Sequence, residues 1–186
     1  MSILQAVKSN NIQRVRQLLS NPGIDVNKLG DDDDDDYDGD YDGDYGYTAL
    51  SLASRCGHTA IVKLLLAVEG INVNVADGDG NTALTWAGYE GHADIVELLL
   101  SVEGIVFSCR DSDGWTVLIM ASQHGKADIV KLLLDMPGIN VNCRDTEGWT
   151  SLMYAASGEK TAVVKLLLAA PGIDVNLANK YGNTAL

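Results

Sequence analysis

Residues 46–74 read GYTALSLASRCGHTAIVKLLLAVEGINVN. This stretch spells one complete structural unit. Thr48 can open a short helix as its N-cap, its hydroxyl accepting from an orphan backbone N–H. Leu50, Leu52 and Ala53 supply that helix with apolar side chains. Gly57 ends it at a position suited to positive φ. Thr59 begins a second helix, with Ile61, Val62, Leu65 and Leu66 along one face. Gly70 stops the second helix, Val73-Asn74 extends, and a polar turn over 76–80 restarts the cycle.

The unit recurs at a fixed interval. GYTAL at 46 returns as GNTAL at 80, GWTVL at 114, GWTSL at 148 and GNTAL at 182, the starting position advancing equally each time. The AIVKLLL of 60–66 matches 94–100, 128–134 and 162–168. Gly-Ile-x-Val-Asn begins at Gly23, Gly70, Gly138 and Gly172, with a degenerate copy at Gly104. Two short helices cannot bury their apolar faces alone. Stacked neighbours can, so the periodicity predicts an all-α solenoid with one continuous core.

These motifs resemble the ankyrin repeat, over essentially the whole chain. That family's repeat carries a Thr-Pro-Leu-His signature and is one position shorter than the interval seen here. In this chain proline is replaced by Ala49, Ala83, Val117, Ser151 and Ala185, and histidine by Ser51, Thr85, Ile119 and Met153. The resemblance implies helix-turn-helix units with β-turn fingers. It also implies weaker helix starts, because the preorganised proline turn and the polar tie of the histidine are missing. The expected division is a capping repeat over 1–28, an acidic insert over 29–45, and repeats over 46–76, 77–110, 111–144 and 145–178. A sixth repeat starts over 179–186. Ser2, Gln5, Lys8, Arg14 and Arg16 keep the outer side of the first unit polar. The last helix pair, by contrast, is expected to lack an equivalent cap, as in a fragment of a longer array or an end that frays, and Glu159-Lys160 replaces its Gly-His step.

The formal charge is −13, and the aspartates of 31–44 alone contribute −10. The rest of the chain is close to neutral. No Lys/Arg cluster exists to displace counterions from a nucleic-acid backbone, so nucleic acid is not an expected partner. No apolar run is long enough to span a membrane. The first residues form an amphipathic pattern instead of a signal peptide. Three cysteines, Cys56, Cys109 and Cys143, fit an intracellular, cytoplasmic setting with reduced thiols. Cys109 and Cys143 hold equivalent places in adjacent repeats, about 10 Å apart at ordinary packing distances. That is too far for an unstrained disulfide.

The step from Gly23 to Gly70 exceeds the repeat by 13, and the surplus lies in the turn carrying the aspartates. A longer loop costs little entropy. Asp38-x-Asp40-x-Asp42-Gly43 matches the start of an EF-hand loop, but the required twelfth-position glutamate is Ala49. The segment reads as an extended low-complexity insert or a docking strip for a basic partner. No His/Cys set has the spacing of a nucleophile or zinc site, so no catalytic residue, metal or cofactor is expected. His58 and His92 fit structural, inter-repeat hydrogen bonds, and His124 fits an exposed position. Trp86, Met120 and Tyr154 occupy equivalent first-helix positions and read as packing between repeats.

By resemblance, turn tips and first helices line a concave, partner-binding face. One ladder of candidate contacts runs through the turns: Tyr47, Asn81, Trp115, Trp149 and Asn183, flanked by Asp79, Asp113, Glu147 and Tyr181. The other lies near the first-helix ends, at Arg55, Tyr89, Gln123 and Ser157. Trp, Tyr and Arg are the residue types that anchor interfaces, which singles out Trp115 and Trp149. The expected function is noncatalytic protein–protein recognition by a monomeric adaptor or scaffold, with a partner of some positive charge. The alternatives are a targeting segment of a larger enzyme, such as a kinase or ubiquitin ligase, and a calcium-responsive adaptor.

Overall fold

In the computed structural model, residues 2–30 and 46–185 are described. They form five antiparallel helix pairs: α1 (Ile3–Lys8) with α2 (Ile12–Leu19), α3 (Ala49–Arg55) with α4 (Thr59–Leu66), and α5 (Ala83–Glu90) with α6 (Ala93–Leu100). These continue with α7 (Val117–Gln123) and α8 (Ala127–Leu134), then α9 (Ser151–Ser157) and α10 (Thr161–Leu168). The calcium reading of the Asp-rich insert lies outside the described residues.

Threonine starts every first helix after the opening pair. Thr48, Thr82, Thr116 and Thr150 each accept from the backbone N–H three residues on. The expected loss of the histidine tie holds only in part. Ser51 and Thr85 hydroxyls accept from the N–H of Thr48 and Thr82 at 2.9 and 2.7 Å, closing a capping box with a hydroxyl. Ile119 and Met153 have no such group, so the third and fourth boxes stay half closed.

Ile61, Val62 and Leu65 of α4 are fully buried, as are Ile95, Val96 and Leu99 of α6 and Ile129, Val130 and Leu133 of α8. A single apolar cluster runs from Ala6 and Val7 to Leu167. First helices pack closer to one another than second helices do. Small residues permit this: Ala53, Ala87, Ala121 and Ala155 are completely buried. A Cβ on Gly88 would come within 2.5 Å of Val117 Cγ2. The unequal spacing curves the stack toward the first helices. At the far end Leu168 is 46% exposed, whereas its counterparts Leu66, Leu100 and Leu134 are half-buried.

Two polar ladders tie the units together. In the first, the Asn27 amide donates to the Gly70 carbonyl and its oxygen accepts from the Asn72 N–H, both at 2.8 Å. Asn74 repeats this with Gly104 and Val106, and Asn142 with Gly172 and Asp174. Ser108 stands where the intervening asparagine would be. In the second ladder, the N–H groups of Ser112, Thr146 and Lys180 donate to the carbonyls of Asp79, Asp113 and Glu147 in the preceding turn.

His92 makes its expected inter-repeat bond, with Nε2 3.1 Å from the Arg55 carbonyl. In the next repeat Lys126 does the same work, donating to the Glu90 carbonyl at 3.1 Å. His58 does not follow this pattern: its Nε2 is buried without a hydrogen-bond partner among the described residues. His124 is exposed and rests against Tyr89, ring centroids 4.6 Å apart.

The insertion starts and ends at a turn tip. Gly30 N–H donates to the Tyr47 carbonyl at 2.9 Å, the same closure that Asp77 makes with Asn81. Sixteen residues separate the first pair and three the second, so the surplus of 13 is confined to the tip. The Asn27–Gly70 rung is intact across it.

Candidate protein-binding face

Each turn between units is organised by one carboxylate, buried at Asp77 and Asp145 and half-buried at Asp111. Asp77 Oδ1 accepts from the N–H groups of Asp79 and Asn81, Asp111 Oδ1 from those of Asp113 and Trp115, and Asp145 Oδ1 from those of Glu147 and Trp149. The sequence marks these turns as polar but does not single out the three aspartates. Their spacing, four positions before each turn's ladder residue, is the signal that could have found them. Burial pushes the carboxyls of Asp77 and Asp111 above the ordinary aspartate range, against the pull of these hydrogen bonds. The other oxygen of Asp77 accepts from Trp86 Nε1 at 2.9 Å, and that of Asp145 from the Tyr154 hydroxyl at 2.6 Å. Met120 holds the equivalent place near Asp111 and has nothing to donate.

These bonds fix where the aromatic side chains go. Trp86 and Met120 are buried, as inter-repeat packing requires. Tyr154 is only half-buried, its ring lying 4.7 Å from Trp115 and 5.0 Å from Trp149. The three rings form a strip across two turns. Burial and the Asp145 hydrogen bond, with the charges of Asp113 and Asp111, push the Tyr154 phenol far above its ordinary range. Trp115 and Trp149 are half-buried, and neither indole N–H has an acceptor among the described residues. Beside Trp149 opens a depression of about 540 Å³, walled also by Met153, Ala156, Ser157 and Asn183.

The other candidates fall into two groups. Tyr47 departs from its expected exposure: it is 8% exposed, because Trp86 of the next unit covers it at 5.6 Å. Arg55 Nη1 donates to the Tyr47 hydroxyl at 2.7 Å, and its guanidinium lies over both rings, 5.4 Å from Tyr47 and 5.2 Å from Trp86. Its Nε is 3.8 Å from Glu90. Tyr89 meets Trp86 edge-on at 6.1 Å. Glu147 is held by Lys180 at 3.0 Å and by the Tyr181 hydroxyl at 2.9 Å. By contrast, the side chains of Asp79, Asn81, Asp113 and Gln123 have no hydrogen bond or ion pair among the described residues, and Asp113 is exposed.

All three cysteines are free. Among the described residues no cluster of His, Cys, Asp and Glu could hold a metal ion. No helix there is long and apolar enough to cross a membrane.

Helix pairs stacked in register, with turn tips and first helices on one inner face, define a repeat scaffold for recognition. A family model described as ankyrin repeats (3 copies) matches residues 3–111 and 102–179. The chain belongs to the ankyrin-repeat family, whose members are generally protein–protein interaction modules. No curated protein matches the chain.

Proposed function

We propose that the protein is a noncatalytic adaptor that docks a protein partner on its inner, first-helix face. The observation that carries this reading is the Trp115–Tyr154–Trp149 strip. The two half-buried indoles have N–H donors without an acceptor among the described residues, and both rings lie against Tyr154, whose hydroxyl donates to the Asp145 carboxylate. Rigid aromatic side chains lose little entropy on binding and supply large contact area. The carboxylates of Asp79 and Asp113, unpaired among the described residues, favour a partner with positive charge. Arg55, Tyr89 and Glu147 are engaged within the array and serve as walls, with Asn81 and Gln123 as polar rim contacts. Tyr47 belongs to the support beneath them. The adaptor acts as a monomer inside the cell, without nucleic acid, membrane or cofactor.

The test is a quantitative capture from lysate with three baits: the intact chain, a chain lacking residues 31–43, and Trp115→Ala/Trp149→Ala. Loss of partners with the double tryptophan change alone supports the reading. Loss with the deletion alone assigns binding to the acidic insert and rejects it.

A further inference from the structure

The geometry points to a seat for one arginine side chain of the partner over the Trp115–Tyr154 ring pair, beside Gln123. This rests on the proposed docking face and names what it takes.

The array displays the same seat once already filled. Tyr47, Arg55 and Trp86 recur two repeats later as Trp115, Gln123 and Tyr154. In the first set the rings are 5.6 Å apart at 60°, and Arg55 lies over both. In the second they are 4.7 Å apart at 45°. The second set thus retains the aromatic pair, while a neutral glutamine replaces the guanidinium. The intervening register offers no such pair, because Asn81, Tyr89 and Met120 stand there. Among the described residues the open seat is therefore the one at Trp115 and Tyr154.

Charge favours filling it with a cation. The Tyr154 phenol feels Asp145, Asp113 and Asp111. The chain's own nearby cations are committed elsewhere. Arg110 donates to the Gly114 and Arg144 carbonyls, Arg144 to the Ala178 carbonyl at 2.6 Å, and Lys180 pairs with Glu147 at 3.0 Å. Among the described residues no cation lies over Trp115, Trp149 or Tyr154. A guanidinium suits the seat better than an ammonium. It stacks on ring faces, and its spare N–H groups can reach the Gln123 amide oxygen.

The test uses the intact chain to select binders from a random dodecapeptide library, with counter-selection on Trp115→Ala/Trp149→Ala. Both proteins carry the same acidic insert, so peptides drawn by its charge are removed. The expected pool is rich in arginine. Replacing the key arginine by citrulline weakens binding about threefold or more. Gln123→Arg, which fills the seat as Arg55 fills the first, abolishes binding of these peptides while its thermal melt stays cooperative. If tryptophan-dependent peptides emerge but need no arginine, tolerate citrulline, or bind Gln123→Arg normally, the arginine seat is rejected and the docking face stands. If no peptide depends on the tryptophans, both readings fall.

Discussion

Asn74 and Gly104 are joined by a side-chain hydrogen bond of 2.8 Å that spans two repeats, and the same asparagine's oxygen accepts from Val106 N–H at 2.9 Å. This rung recurs at Asn27 and Asn142. It explains how the array absorbs an insertion at the first turn: the Asn27 rung lies away from the turn tip and does not use it. The stack is held by helix packing and by two edge ladders, so a change at one edge leaves the other intact.

Ser108 interrupts the asparagine ladder. Ser108→Asn restores a bridge to the Gly138 carbonyl and the Asn140 N–H in the geometry seen at Asn74 and Asn142. Two exposed hydrogen bonds are expected to add about 1 kcal/mol. The check is the urea midpoint at unchanged m-value. The reciprocal change, Asn142→Ala, should lower the midpoint by a similar amount.

Thr85 closes the capping box of α5 by accepting from the Thr82 N–H at 2.7 Å, in a buried setting. Thr85→Val keeps the shape and leaves that N–H unpaired, at an expected cost of about 1–3 kcal/mol. Ile119→Thr should close the half-open box at Thr116. Its gain is offset by the apolar contact that fully buried Ile119 gives up. Amide exchange at Thr82 and Thr116 reads both changes directly: faster at Thr82 in the first variant, slower at Thr116 in the second.

The array was legible in sequence because its signals are local. Threonine at the start of four first helices, glycine at most stops and aliphatic residues at helical spacing act within a few residues of themselves. The inner face was legible only as a register. That Tyr47 lies under Trp86, or that Tyr154 fills the gap between Trp115 and Trp149, depends on side chains of neighbouring units meeting across a repeat boundary. No local pattern encodes such contacts. The histidines show the same limit. His58 and His92 follow identical glycines, yet only the His92 Nε2 finds a carbonyl, because the neighbouring unit decides what its ring meets.

Glu159 occupies the left-handed position that Gly57, Gly91 and Gly125 hold in the three preceding units and Asn10 holds in the first, with φ of 55°. A side chain there costs about 1–2 kcal/mol. Glu159→Gly is therefore expected to raise the stability of the last unit by about 1 kcal/mol, the glycine's greater unfolded-state entropy taking back part of the gain. Gly125→Ala should cost a comparable amount. Amide exchange in α9 and α10, compared between wild type and Glu159→Gly, measures the effect where it acts.

The turn carboxylates make stability depend on pH in an unusual direction. Burial raises the Asp111 carboxyl above its unfolded value, so between the two values the folded state holds a proton that the unfolded state has lost. Its contribution is fully present below the unfolded value and is lost as pH rises through the folded one. Asp94 acts oppositely. The Thr59 hydroxyl holds its carboxyl low, so its contribution is present above the unfolded value and lost as pH falls through the folded one. Asn179 shows that a neutral amide can organise the same turn, accepting from Tyr181 and Asn183 N–H at 3.0 Å each. Asp111→Asn is therefore expected to preserve the turn and remove the titration. Met120, opposite, offers no donor that the change would strand. Urea midpoints for wild type and Asp111→Asn, measured from about pH 3 to pH 7 to bracket both carboxyl values, should diverge in the variant's favour as pH rises. A constant difference across that range would mean that burial of the charge is not what the turn works against.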